Sequence, residues 1–168
     1  TLNNDINSSV YLSKICGVEL SPAPYFDLDE EYQLQQAVKD LISKGLVQSV
    51  HDISEGGAFV TCMESSFNRS LGFDISLKEK GIRKDAFLFG EGQSRVIASV
   101  SKEHQSAFED HLKKAGVSFI LLGKVTSGDV IIDQENWGAV GSFKKLYDTS
   151  IEKCLSGELV SEGALGVL

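Results

Sequence analysis

The chain is 168 residues long, 42% hydrophobic and 24% charged, with 16 glycines and 2 prolines, a globular composition that excludes collagenous, low-complexity and disordered classes. Sixteen Lys and Arg against 24 Asp and Glu leave a formal charge of -8, which lacks the basic footprint that sequence-independent binding to nucleic acid or an anionic membrane requires. A chain of this size buries roughly 70% of its unfolded surface without a disulfide or metal staple, and its length fits one domain.

The spacing of Tyr11, Leu12, Ile15 and Cys16 predicts a first helix over 8–16, with Gly17 as its stop. Pro22 and Pro24 mark an extended connector. A longer helix follows, capped by Asp29, with Leu34, Ala37, Val38, Leu41 and Ile42 on one face and Gly45 at its end. Residues 46–50 read as a short buried strand running into the loop His51-Asp52-Ile53-Ser54-Glu55-Gly56-Gly57, and Phe59, Met63 and Phe67 then set a helix over 58–67.

Alternation of Leu71, Phe73, Ile75 and Leu77 predicts a strand over 71–77 with one buried face. A short helix over Lys84–Phe89 leads to Gly90-Glu91-Gly92-Gln93-Ser94-Arg95 and a strand over 96–100. Ser101 is expected to cap a helix with Phe108, Leu112 and Ala115 inward, stopped by Gly116. Strands over 117–122 and 129–133 follow, Trp137 is expected to pack, and Ser142 opens a last helix that turns Phe143, Leu146, Tyr147, Ile151, Cys154 and Leu155 inward. Residues 157–168 show no period and form a C-terminal tail to a domain over 1–156. Helices alternate with strands, so the fold class is α+β (layered α/β), a mixed sheet packed with helices.

Cys16, Cys62 and Cys154 lie far apart, form no C-x-x-C pair and are odd in number, which argues for packed thiols in a reduced, cytoplasmic setting over a disulfide framework. No apolar run of about 18 residues is present for a membrane span. His104 and His111 fall in a charged helix and are expected to be solvated.

Two polar segments can carry chemistry. In 51–57 a strand gives way to a helix, the usual place for a ligand crevice in open sheets. Gly56 and Gly57 permit close backbone approach, and a helix N-terminus offers free N–H groups. Asp52 and Glu55 would repel a bare phosphate, a conflict that Mg²⁺ between Asp52 and phosphate resolves; the alternative is that Asp52 and Ser54 cap the helix and the glycines turn the chain. In 90–95, Arg95 can take a phosphate or carboxylate, and Glu91 and Gln93 a sugar or amide; the alternative is a surface loop held by an Arg–Glu pair. His51 fits a supporting role behind such a site better than acid–base work. No residue is assigned a catalytic role. If both segments serve one site, the strand before the first and the strand after the second must be antiparallel neighbours.

His51-Asp52-Ile53-Ser54-Glu55-Gly56-Gly57 opening a helix, then Leu88-Phe89-Gly90-Glu91-Gly92-Gln93-Ser94-Arg95 before a strand, resembles the C-terminal domain of the aminoimidazole ribonucleotide synthetase (PurM-like) superfamily, and within it the phosphoribosylformylglycinamidine synthase family. That pattern is H-D-x-S-D/E-G-G-L followed by L-F-x-E-x-Q-x-R, matched here at His51, Asp52, Ser54, Glu55, Gly56, Gly57, Leu88, Phe89, Glu91, Gln93 and Arg95. Ala58 departs where Leu is usual, and Gly92 where Ser is commoner. The likeness covers most of residues 8–150. It implies a domain of an amidotransferase-coupled ligase of purine biosynthesis that uses ATP, Mg²⁺ and glutamine-derived ammonia. Its partners would be an ATP-binding N-terminal domain and a glutaminase domain or subunit. The loop variant resembles the second of two tandem copies, beside a pseudo-symmetric site where a structural nucleotide (ATP or ADP) binds. The resemblance places Ser54, Glu55, Gly56, Gly57, Glu91, Gln93, Ser94 and Arg95 at phosphate or nucleotide and Asp52 at the metal. A start at Thr1 rather than Met fits a piece of a longer enzyme, inactive alone. The competing possibilities are a non-catalytic scaffold or interface domain, and another superfamily member such as selenophosphate synthetase.

Overall fold

The structure, a computed structural model, describes residues 4–77, 81 and 83–157. Except for Gly157, the expected tail over 157–168 lies outside them. The chain opens with a π-helical turn, Tyr11–Ile15, in which Cys16 N–H reaches the Tyr11 carbonyl at 3.2 Å. Helix α1 (Leu28–Ser43) follows the proline connector, then strand β1 (Ser49–Asp52), helix α2 (Gly57–Phe67), strand β2 (Leu71–Ile75) and helix α3 (Lys84–Phe89). Strand β3 (Val96–Ser99), helix α4 (Gln105–Ala115), strands β4 (Gly123–Ser127), β5 (Asp129–Ile132) and β6 (Glu135–Ala139), and helix α5 (Val140–Ser156) complete the order.

The strands form two sheets rather than one. β1 and β3 make an antiparallel ribbon; β4-β2-β5-β6 make a mixed four-stranded sheet in which only β2 and β5 are parallel. Parallel register places Phe73 beside Val130 and Ile75 beside Ile132, and all four are at most 7% exposed. With Ala58, Met63, Phe87, Leu88 and Val140 they form the main core. A smaller core of Ala37, Leu41 and Leu112 joins α1 to α4, with Leu46 and Val47 packed against it.

The layered α+β class stands as expected, and several boundaries move for identifiable reasons. Asp27, not Asp29, caps α1: its carboxylate accepts the amides of Asp29 and Glu30, both at 2.9 Å, and so satisfies two orphan donors. The π-helical pitch breaks the i,i+4 projection of the first turn, leaving Ile15 and Cys16 exposed. Pairing with β3 draws His51 and Asp52 into β1 rather than the following loop. Ser101 starts the α4 region through its carbonyl, which accepts from His104 N–H at 3.0 Å, and not through its hydroxyl. No strand forms over 117–122; β4 begins at Gly123, opposite Ile75.

The largest difference is β6. Asp133 and Gln134 have φ of 53° and 71°, the two left-handed residues of a hairpin turn, and Trp137 beyond it packs on the core against Phe59. Helix α5 begins at Val140, not Ser142, and only its first turns rest on the body, through Val140, Phe143 against Phe59, and Tyr147 against Phe67. Leu146, Ile151, Cys154 and Leu155 face solvent instead of the core. His104 and His111 are half-buried rather than solvated, His111 lying beside Lys44 and Asp40 of the α1 end.

These placements separate residues that one helical period would class together. Ile132→Ala should cost about 3 kcal/mol by leaving a core cavity, whereas Ile151→Ala, at a position 73% exposed, should stay within about 0.5 kcal/mol; urea unfolding of both variants measures the contrast. Burial pushes the Cys62 thiol up to about 12 while Cys16 and Cys154 are exposed. Since the thiolate is the reactive species, an aromatic disulfide reagent at neutral pH should label Cys16 and Cys154 promptly and Cys62 only on unfolding.

Candidate functional site

The β1–β3 ribbon runs Ser49 opposite Ser99 to Asp52 opposite Val96, and Ile53 N–H extends it by bonding the Arg95 carbonyl at 3.0 Å. The end of 49–52 and the start of 96–99 therefore coincide, and segments 51–57 and 90–95 meet at one edge. They share a groove of about 730 Å³ with α1, a volume in the range of small-molecule sites. Leu34, Val38 and Ile42 line its helical wall; Asp52, Gln93, Ser94 and Arg95 line the opposite one.

Strand alternation splits His51 from Asp52. The Asp52 carboxylate is exposed at the groove. His51 sits against α2, with Nδ1 at 3.0 Å from Ser65 Oγ and Nε2 at 3.6 Å from the Glu64 carboxylate. Ser65 Oγ spends its own proton on the Thr61 carbonyl at 2.8 Å, so in that bond the ring nitrogen is the donor. Glu64 also accepts from the Tyr147 hydroxyl at 3.2 Å and holds its pKa above the usual phenol range. His51 thus braces β1 to α2 and α5.

The glycine pair is explained by packing. Gly56, at φ 82°, is the left-handed residue before α2, where a side chain would collide with Val60. Gly57, at φ 69°, lies so close to α3 that a Cβ would come within 2.6 Å of the Leu88 carbonyl oxygen. Their amides already have acceptors: Gly56 N–H donates to Glu91 Oε1 at 2.9 Å and Gly57 N–H to the Ser54 carbonyl at 3.0 Å. Ser54 and Glu55 are exposed on the turn between them and β1.

In the second segment, Glu91 Oε1 also accepts Val10 N–H at 2.8 Å. Arg95 pairs with neither Glu91 nor Asp52. It is half-buried and donates to the Gly90 and Phe87 carbonyls at 3.1 and 3.2 Å, with its guanidinium over the Phe87 ring. Burial pulls its pKa below the usual range. Ser94, held at φ 58°, donates to Glu31 Oε2 at 2.7 Å, and Gln93 is exposed at the groove. In this conformation Asp52 and Gln93 are the groove-lining polar side chains of the two segments with the most freedom, whereas Gly56, Gly57, Glu91, Ser94 and Arg95 hold the loops together.

The sequence reading passed over the α1 wall, including Glu31, Gln35 and Lys39. Their i, i+4, i+8 spacing beside the apolar stripe was the available signal. Among the described residues no group of three or more His, Cys, Asp or Glu side chains is arranged to hold a metal ion.

Residues 5–134 match the family model of the AIR synthase related protein, C-terminal domain. The phosphoribosylformylglycinamidine synthase subunit PurL of Salinibacter ruber is 42% identical over 124 residues, covering 73% of this chain and 16% of that protein. The subunit of the same name from Alkaliphilus metalliredigens is 34% identical over 159 residues, covering 90% and 21%. The chain thus spans no more than about a fifth of these relatives. Among solved structures, T. maritima PurL complexed with FGAR is similar with a TM-score of 0.63 and 19% identity, over 76% of this chain and 23% of that one. The same protein complexed with ATP gives 0.56 and 19%, over 65% and 20%. These likenesses establish the fold.

The glycine geometry separates two substitutions that look alike. Gly57→Ala should cost about 3 kcal/mol, from left-handed strain and overpacking against Leu88. Gly92→Ser should be neutral within about 0.5 kcal/mol, since a Cβ at Gly92 meets only Arg95 Cδ at 3.9 Å. Chemical denaturation of the two variants reads the difference.

Proposed function

The chain belongs to the AIR synthase related protein C-terminal domain family, and from that premise we propose that it works as a domain of a phosphoribosylformylglycinamidine synthase. In that ligase formylglycinamide ribonucleotide, ATP and ammonia give the amidine, ADP and phosphate, the displaced amide oxygen leaving with the phosphate. The observation that carries the proposal is the meeting of segments 51–57 and 90–95 on one groove, because these are the segments that resemble the family. The similarity to phosphoribosylformylglycinamidine synthase subunits supports it. The partners proposed are an ATP-binding domain of the same enzyme and a glutaminase supplying ammonia, in the cytoplasm; among the described residues no helix is long and apolar enough to cross a membrane.

The nucleotide and Mg²⁺ fit this chain's own residues poorly. Asp52 offers one carboxylate, and among the described residues no group of three or more His, Cys, Asp or Glu side chains is arranged as a metal site. The Gly56 and Gly57 amides are engaged, as are the Arg95 donors described above. Asp52, Gln93 and the α1 wall therefore border the substrate side of a site whose nucleotide is held elsewhere in the enzyme. Internal satisfaction of these loops specifically favours a supporting, interface-forming role for this domain over direct phosphate contact.

The test is amidine formation from formylglycinamide ribonucleotide, ATP, Mg²⁺ and ammonia. The chain alone should give none, and activity should appear when it is combined with the ATP-binding domains of the same enzyme. Turnover by the chain alone, or no turnover from a verified stoichiometric complex, would overturn the proposal.

A further inference from the structure

One carboxylate oxygen, Glu91 Oε1, accepts two main-chain amides from segments remote in the sequence: Val10 N–H at 2.8 Å and Gly56 N–H at 2.9 Å. The first is the residue that enters the N-terminal π-turn; the second is the residue that enters α2. We propose that residues 4–16 form a clasp that sets the entry of α2 through Glu91, so that the start of the chain and the groove-side loop 52–57 open and close together.

Other contacts seat the clasp on the same body. The Asn4 side-chain oxygen accepts Arg83 N–H at 2.8 Å. Tyr11 stacks on Phe89, with centroids 5.1 Å apart and planes 14° from parallel. Ser9 is 1% exposed, with its hydroxyl donating to the Ile6 carbonyl at 2.6 Å and accepting Leu12 N–H at 3.1 Å. A Cβ on Gly90 would collide with the Ala86 carbonyl, and it would come within 2.5 Å of the Asp5 carbonyl oxygen, so glycine at 90 lets the two segments touch. The clasp thus lies on α3 and on the residue preceding Glu91, and that carboxylate links it to the entry of α2.

The geometry makes a specific coupling. Val10 N–H helps to fix the Glu91 rotamer, and the fixed rotamer presents Oε1 to Gly56. Charge-assisted bonds of this kind are short and strong, and two donors on one oxygen restrain it more than either alone. Nothing in this chain of contacts needs a ligand, so the inference stands whether or not the proposed ligase role holds.

Amide hydrogen exchange by NMR on the intact chain tests it, with Val130 and Ile132 as core references. Glu91→Ala should speed exchange of both Val10 and Gly56 at least tenfold and leave the references unchanged. Glu91→Gln keeps a neutral oxygen acceptor and should recover protection of both to within a few fold. Val10→Pro removes the donor at a residue whose φ of -57° already suits proline. It leaves Glu91 and Gly56 untouched, yet should speed Gly56 exchange several-fold. Unchanged Gly56 exchange in Val10→Pro, or recovery of one amide without the other in Glu91→Gln, would overturn the clasp. Should Glu91→Ala fail to fold, the other two variants decide.

Discussion

Antiparallel pairing of two four-residue strands is the constraint on which the candidate site depends. The antiparallel register that sets Asp52 opposite Val96 fixes where the loop after β1 and the loop before β3 meet. A parallel arrangement would put the loops at opposite ends of the ribbon. Two-stranded ribbons are marginal on their own, and this one is supported on both sides: Ile53 and Ile97 pack towards the main core, while Leu46 and Val47, just before β1, anchor in the α1–α4 cluster. The groove exists because α1 stands beside the ribbon edge without closing onto it.

Charge inside this edge is handled by the backbone. A half-buried guanidinium loses hydration, which is why the Arg95 pKa moves down. Two carbonyls at the end of α3 take its protons, where the helix macrodipole favours a cation. Glu91 is the complement: an anion against the amide that enters α2, where the dipole favours negative charge. The two side chains do not pair with each other. Each instead ties its loop to a helix terminus, and a loop tied at both signs of charge is held more rigidly than one closed by a single exposed ion pair, which is worth little.

Much of the architecture was legible from local signals. The limits of α3 and the buried face of β2 followed from Leu88, Phe87, Phe73 and Ile75, whose spacing is set by the same packing that buries them, although Leu71 at the strand's start is exposed and β2 ends at Ile75, before the buried Leu77. What was missed was decided at longer range. The β5–β6 turn uses Asp133 and Gln134 at positive φ without the glycine that usually announces such a hairpin. Asp133 compensates through its carboxylate, which accepts Leu77 N–H at 2.7 Å. The apolar stripe of α5 has helical spacing but, past Tyr147, no neighbour among the described residues, and periodicity cannot tell a buried face from an uncovered one. The π-turn failed for a simpler reason, because its pitch is not the one that pattern reading assumes.

The site was legible as a location more than as a set of ligands. Sequence reasoning made the meeting of the two loops a condition of a shared site, and the antiparallel ribbon meets that condition. It could not divide the residues that build a loop from those that the loop offers to others. Gly56 and Gly57 are required by the left-handed turn and by the approach of α3, Glu91 by two amides and Arg95 by two carbonyls; each would be needed even if no phosphate ever came near. Subtracting them leaves Asp52, Gln93 and the polar wall of α1 as the surface this domain presents at the groove. A motif shared with a ligase family can therefore mark the rigid frame of a site rather than the groups that touch the reacting atoms, and the remaining chemistry belongs to whatever faces that groove.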